Sequence, residues 1–367
     1  MAVVEITQRH VSELAMTWWR RDTSPVLLHH GLLDSFAALD ARLLSYADGA
    51  VLDPVEAFKY LADRMRPTAP DFVADVVAGL FVLRSQGGIS PHSQAWLEGI
   101  PDQQTVASAH HQLMRWLGCK AQTDTKDWVA SLCATRVEES IDDPGHVSRA
   151  LQSHRPDDLR FIDAWGQIQG HLTQEVAALN TLPDPFTSSQ LCTYLLLKPQ
   201  HVFDCVQQVV ARGADPAVVF LATGISGETN MLPNLLRSAS QPEIAVLALD
   251  AFRRITGFDA LAKQELTWTH QHHKVKKPLL TAAYRAAQQW FDAHEKSLPE
   301  HNCFLGQRGD DMRHLVNVLR YGRQADREIA AMRAAGSAGT AVFPVRSKVA
   351  VQQMVLDHFS PETSEAA

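Results

Sequence analysis

Along most of this chain apolar residues recur at intervals of three and four, the period of an amphipathic helix. The pattern is sharpest at 231–257, MLPNLLRSASQPEIAVLALDAFRRITG. Leu232, Leu235, Leu236 and Ala239 share one helical face, and Ile244, Leu247, Ala248, Ala251, Phe252 and Ile255 share another. Between them, Ser240-Gln241-Pro242-Glu243 reads as a capping box with proline just inside the helix start. Gly257 is the expected stop, because glycine takes the left-handed conformation without steric cost. Two such helices cannot bury their stripes against each other alone; they need similar pairs stacked on either side.

The same period predicts helices over 5–21, 32–46, 53–66 and 71–83, the second stopping at Asp48-Gly49 and the third starting at Asp53-Pro54. From 90 to 125 the pattern weakens, although Val106, His110, Leu113, Met114 and Leu117 still share a face. In the middle, helix-start prolines at Pro156, Pro185, Pro216 and Pro242 are spaced by 29, 31 and 26 residues. Asp184 and Asp215 precede two of them as N-caps. A period near thirty with two helices per unit is the mark of HEAT-type repeats. Further helices are predicted over 277–294, 312–321 and 348–358, with a short extended piece at 341–345. The expected fold is all-α: a HEAT-like α/α superhelix over 126–267, between helical caps at 1–125 and 268–367.

Composition sharpens this only slightly. The 367 residues are 46% hydrophobic and 20% charged, with a net charge of −7. These values suit a folded chain with a large core and argue against a nucleic-acid-gripping protein, which is usually basic. No membrane partner is expected, since no run approaches the roughly 20 apolar residues of a membrane span. The first residues lack a secretory leader pattern, so a cytoplasmic location is expected. Five scattered cysteines without a CxxC pair read as buried thiols in a reducing compartment.

Candidate chemistry is sparse. His110-His111 are adjacent, and neighbouring helical residues point apart. The stretch 268–278, WTHQHHKVKKP, gathers His270, His272 and His273 with three lysines. Neither these nor His294, His301 and Cys303 match a zinc spacing, so no metal, cofactor or catalytic residue is assigned. Arg308, Arg313, Arg320, Arg323, Arg327 and Arg333 alternate with Asp310, Asp311, Asp326 and Glu328, which reads as a solvated, ion-paired surface. No phosphate-cradling glycine loop, HExxH or GxSxG is present.

Three stretches together resemble a family. They are HVSELAMTWWRRDTSP with LDSFAALDARLLSYADG, then LPNLLRSASQPEIAVLALDAFRRITGFDA, then FLGQRGDDMRHLVNVLRYGRQADREIAAMRAA with VFPVRSKVAVQQ. Trp18-Trp19, the Leu39-Asp40-x-Arg42-Leu43 run and the Leu305-Gly306-Gln307 turn are the most distinctive parts. In order and separation these resemble an uncharacterised bacterial family of HEAT-repeat proteins, often encoded beside type VI secretion genes and their effector cargo. Tyr46 stands where that family usually has histidine. The resemblance implies a solenoid and a secretion-linked context, and it carries over no catalytic residue. The expected function is a non-enzymatic scaffold, an adaptor or chaperone for a secreted effector or a spike component. An immunity protein is one alternative, and a HEAT-repeat enzyme of lyase or base-excision type is another. Trp18, Trp19, Arg313, Arg320 and Arg323 are the candidate protein-binding residues, since aromatic and arginine side chains dominate interface anchors.

Overall fold

The computed structural model describes residues 2–23, 32–64, 72–101, 103–117, 132, 202–211, 213–261, 277–338, 343, 345 and 347–358. The helices expected after Pro156 and Pro185, and the histidines at 270–273, lie outside these residues. Fourteen α-helices occur among the described residues, with one short hairpin as the described sheet, so the chain is all-α. It divides into two units: residues 1–167 with 343–367, and residues 168–342. The C-terminal segment therefore belongs with the N-terminal helices, whereas the sequence pattern grouped it with 268–342.

Unit 1 contains α1 (Ala2–Thr23), α2 (Leu32–Ala50), α3 (Pro54–Arg64), α4 (Phe72–Gln86), α5 (Pro91–Glu98), α6 (Gln103–Leu117) and α14 (Val349–His358). α4 carries apolar residues on every side and is buried from Ala74 to Leu83, as expected of a helix enclosed by others. Trp18, Phe81 and Trp116 meet edge to face beside it, with ring centroids 5.2–6.2 Å apart. Asp53 caps α3, accepting the Glu56 N–H at 3.1 Å. α2 does not stop at Asp48-Gly49. It runs on to Ala50 because Ala47 and Ala50 are buried and Gly49 lies against the His10 ring, where a β-carbon would come within 2.5 Å. α5 escaped the periodicity, but Ser90-Pro91-His92-Ser93 announces it. The Ser90 hydroxyl accepts the Ser93 N–H, and the Ser93 hydroxyl accepts the Ser90 N–H.

The polar centre of unit 1 is Asp40, itself buried. Its carboxylate accepts Arg21 Nε at 2.5 Å, Trp116 Nε1 at 2.7 Å and the Val349 backbone N–H at 2.8 Å. Four helices, α1, α2, α6 and α14, are tied through one side chain.

Unit 2 contains α7 (Val202–Ala211), α8 (Pro216–Ser226), α9 (Leu232–Ala239), α10 (Ala245–Thr256), α11 (Lys277–His294), the hairpin β1 (Cys303–Phe304) and β2 (Gln307–Arg308), α12 (Met312–Tyr321) and α13 (Gln324–Ala338). Asp215 caps α8 ahead of Pro216, and Asp311 caps α12, both by accepting backbone N–H groups. The stripe Leu232, Leu235, Leu236, Ala239 is buried against Ala248, Ala251, Phe252 and Ile255. Leu247 departs from expectation: it is half-buried, and Leu249 is buried instead.

The capping box at Ser240–Glu243 does not form. Ser240 ends α9, its hydroxyl donating to Arg237 O at 2.7 Å. Residues 241–244 close a tight turn through backbone bonds, and α10 begins at Ala245 without a side-chain cap. A hydroxyl already donating to the preceding helix is not placed to cap the next one. The described β-structure sits at 303–308, and most of the extended piece expected at 341–345 lies outside the described residues. Leu305 and Gly306 both take positive φ, the turn chemistry of a tight hairpin.

Candidate functional site

The polar residues of unit 2 converge where α8 and α10 end. Both helices finish alike, Ile225-Ser226-Gly227 and Ile255-Thr256-Gly257, and both glycines are left-handed, with φ of 72° and 77°. Ser226 and Thr256 play the same part. Each hydroxyl donates to a carbonyl of its own last turn and accepts the N–H two residues on. A helix end leaves four carbonyls without intrahelical partners and carries partial negative charge. Here the hairpin supplies donors. The Cys303 N–H donates to Gly227 O, Leu305 N–H to Arg254 O and Gly306 N–H to Ile255 O, each at 2.8 Å. The backbones come so close that a β-carbon on Gly227 or Gly257 would lie 2.6–2.7 Å from the hairpin's carbonyl oxygens.

Arginines complete the arrangement. Arg333 of α13 is buried, donates from Nη2 to Ile225 O at 2.8 Å, bonds Asn302 Oδ1 and lies over the Phe304 ring at 5.1 Å. Burial lowers its pKa to about 10, still well above neutrality, so it stays charged. The negative end of α8 supplies its compensation. Arg327, fully buried, repeats the device on α12, its Nε donating to Leu319 O at 2.7 Å. Arg253 of α10 makes a bidentate pair with Asp326 of α13, at 2.7 and 2.9 Å, both side chains buried. Burial alone would lower the Arg253 pKa, but pairing with Asp326 outweighs it and raises the value.

At the edge of this core, Asp250 pairs with Arg253 and Arg254, and Asp259 pairs with Arg323. Burial pushes the Asp250 pKa up, yet Arg254, Arg253 and Arg323 together hold it below its ordinary 3.8. The sequence pattern assigned these alternating charges to a solvated surface. That holds for Arg308 with Asp310, which are exposed. It fails for Asp326, Arg327 and Arg333, which are interior. Their targets are carbonyls at the ends of other helices and a remote arginine, which no local spacing reports.

Most polar atoms of the cluster are paired, while Arg254 Nε and Arg333 Nε are buried without a hydrogen-bond partner. The Cys303 thiol is fully buried, donates to Ile255 O at 3.2 Å and is pushed by burial to about 11, so it is not a thiolate nucleophile at neutral pH. The carboxylates Asp250, Asp259 and Asp326 each face a guanidinium. These groups position helices rather than poise a proton. Arg333→Met keeps the volume but strands the Ile225 carbonyl. It should lower stability by about 2–3 kcal/mol, read as a shift in urea midpoint at unchanged slope.

The candidate binding residues separate. Trp18 is interior, 3% exposed, and cannot reach a partner in this fold. Trp19 is half-buried against the same core. Arg313 is exposed on α12, Arg320 is half-buried near the end of that helix, and Arg323 is engaged with Asp259. His110 is buried, with a pKa lowered to about 4 by burial and then by His111. His294 bonds Trp290 O and stacks on the Trp290 ring at 4.6 Å. The Phe258 ring stacks on Trp290 as well, at 5.4 Å, an aromatic group that the helical period did not single out.

His301 pairs with Glu228 at 2.8 Å, and that hydrogen bond raises its pKa above 6.5. A raised histidine contributes stability fully below its unfolded value and loses it as pH climbs through the folded one; depressed Asp250 does the reverse, losing its contribution as pH falls below 3.8. Urea midpoints measured from pH 3 to 9 should therefore fall at both ends. Glu228→Gln should flatten the alkaline limb and Asp250→Asn the acid limb. No known protein family, no curated protein and no solved structure matches this chain.

Proposed function

We propose that this chain is a non-enzymatic protein-binding scaffold: a HEAT-like helical solenoid with helical caps, working as an adaptor or chaperone for a type VI secretion effector or spike component. The observation that carries the reading is the repeated helix end. Ile225-Ser226-Gly227 and Ile255-Thr256-Gly257 lie one 30-residue period apart and make equivalent bonds. α8, α9 and α10 follow one another as first helix, return helix and first helix of the next unit, with α8 and α10 both ending on one hairpin. That order supports the reading of stacked helical repeats, in which each unit would bury its stripe on its neighbours. The polar residues at the repeat ends are engaged with one another, which supports binding over catalysis. The secretion-linked partner rests on the sequence resemblance.

In this reading a partner meets outward helix faces, with Arg313 and Trp19 as the accessible anchors and interior Trp18 withdrawn from the set. The test is affinity purification of the tagged full-length chain from its native cells, followed by mass spectrometry. An effector or spike protein recovered with wild type, and reduced with Arg313→Glu, is expected. Recovery of no secretion-linked partner, alongside turnover of a small molecule by the purified chain, would sink the reading.

A further inference from the structure

Within unit 2, the segment leading into β1 lies along the end of α8. Three successive residues after that helix each hold one part of it. Gly227 O accepts the Cys303 N–H at 2.8 Å. The Glu228 carboxylate pairs with His301 Nδ1 at 2.8 Å. The Thr229 hydroxyl donates to the Glu300 carbonyl at 2.6 Å and lies 3.2 Å from that of Pro299. The three grips differ in kind. Backbone and hydroxyl bonds do not titrate near neutrality, whereas an imidazole changes charge between about pH 5 and 8. The His301 side chain is 66% exposed, so protons reach it without unfolding. Glu228 is only 16% exposed, so a neutral ring leaves a shielded carboxylate without that counter-charge. Among the described residues, the charged groups that meet His301 are Glu228 and, 3.9 Å from Nε2, Glu300 of its own segment. Both favour the protonated ring, and the Glu228 hydrogen bond does so most.

We propose that the arm from Pro299 to Cys303 is a pH-operated clasp on the end of α8, fastened while His301 is protonated and loosened when the ring is neutral. The sign follows from charge. With the ring protonated, a charge-assisted bond to Glu228 holds the middle of the arm. As pH rises and the ring loses its charge, Nδ1 still carries a hydrogen toward Glu228, but the bond is weaker. The loosening is local. Arg333 holds Asn302 Oδ1 and Ile225 O from the interior. The hairpin tip keeps its own bonds, Leu305 N–H to Arg254 O and Gly306 N–H to Ile255 O. The end of α8 is thereby uncovered by mild alkali while the end of α10 stays sealed.

The test is hydrogen exchange on the full chain, read residue by residue from pH 6 to 8.5 and expressed as protection relative to an unstructured chain at each pH. The Cys303 amide, bonded to Gly227 O, reports the clasp. Gly306 of the tip and Phe252 in the middle of α10 are the references. Cys303 should be at least about tenfold less protected than either reference, the mark of a local opening. Its protection should fall a further twofold to fivefold, roughly the strength of an exposed ion pair, as pH rises across the range. Glu228→Gln and His301→Gln should each remove that fall. Cys303 protected as well as Phe252 would mean that the arm opens only with the whole unit, and it overturns the proposal. So does a wild-type Cys303 protection that stays level with pH, or a fall that survives both substitutions.

Discussion

Asp326→Ala is expected to destabilise the protein by about 3–5 kcal/mol, the range for removing one member of a buried ion pair. Asp326 is 1% exposed and holds both terminal nitrogens of Arg253. Without it, a buried guanidinium keeps its charge and loses its main counter-ion. Asp250, 3.2 Å from Arg253 Nε, offers partial compensation and pulls the cost toward the lower bound. The decisive measurement is a double-mutant cycle with Arg253→Met. Removing both charges should cost less than the sum of the single changes, with a coupling of at least about 2 kcal/mol. Additive losses would show that the two groups do not depend on each other.

Phe252→Ala should cost about 3–5 kcal/mol by leaving a cavity, whereas Leu247→Ala should cost about 1 kcal/mol. Phe252 is 1% exposed and meets the Trp290 ring edge-on at 6.0 Å. Leu247 lies on the margin of the same helix and has already kept part of its surface in water. Equal losses in urea denaturation would mean that the buried stripe of α10 runs differently from the one described.

That contrast marks where sequence reasoning reaches its limit. The helical period located α10 and most of its buried face, since Ala248, Ala251, Phe252 and Ile255 all face inward. It placed Leu247 inside because spacing alone cannot tell the centre of a stripe from its edge. Caps were legible where an acidic residue stood before a helix-start proline, as at Asp53 and Asp215. They were not legible at Ser240, whose hydroxyl had a choice of two helices and took the first. The polar cluster was hidden for a related reason. Asp326, Arg327 and Arg333 lie in a segment whose alternating charges look solvated. Their burial follows from where α8, α10 and α12 end in space, and a one-dimensional pattern does not carry that. The Leu305-Gly306 turn was visible, but its role as a donor to two helix ends was not.

The hairpin and Arg333 also impose an order on synthesis. Ile225 closes α8, but the guanidinium that satisfies its carbonyl lies 108 residues further along. At about 5–20 residues per second, roughly 5–20 seconds separate their appearance. Throughout that interval the Ile225 carbonyl lacks its guanidinium, while the carbonyls of Gly227, Arg254 and Ile255 wait only for the hairpin at 303–306. A chain halted between Gly257 and the hairpin thus carries α8 and α10 with their ends unsealed, the state in which chaperones and proteases would meet it.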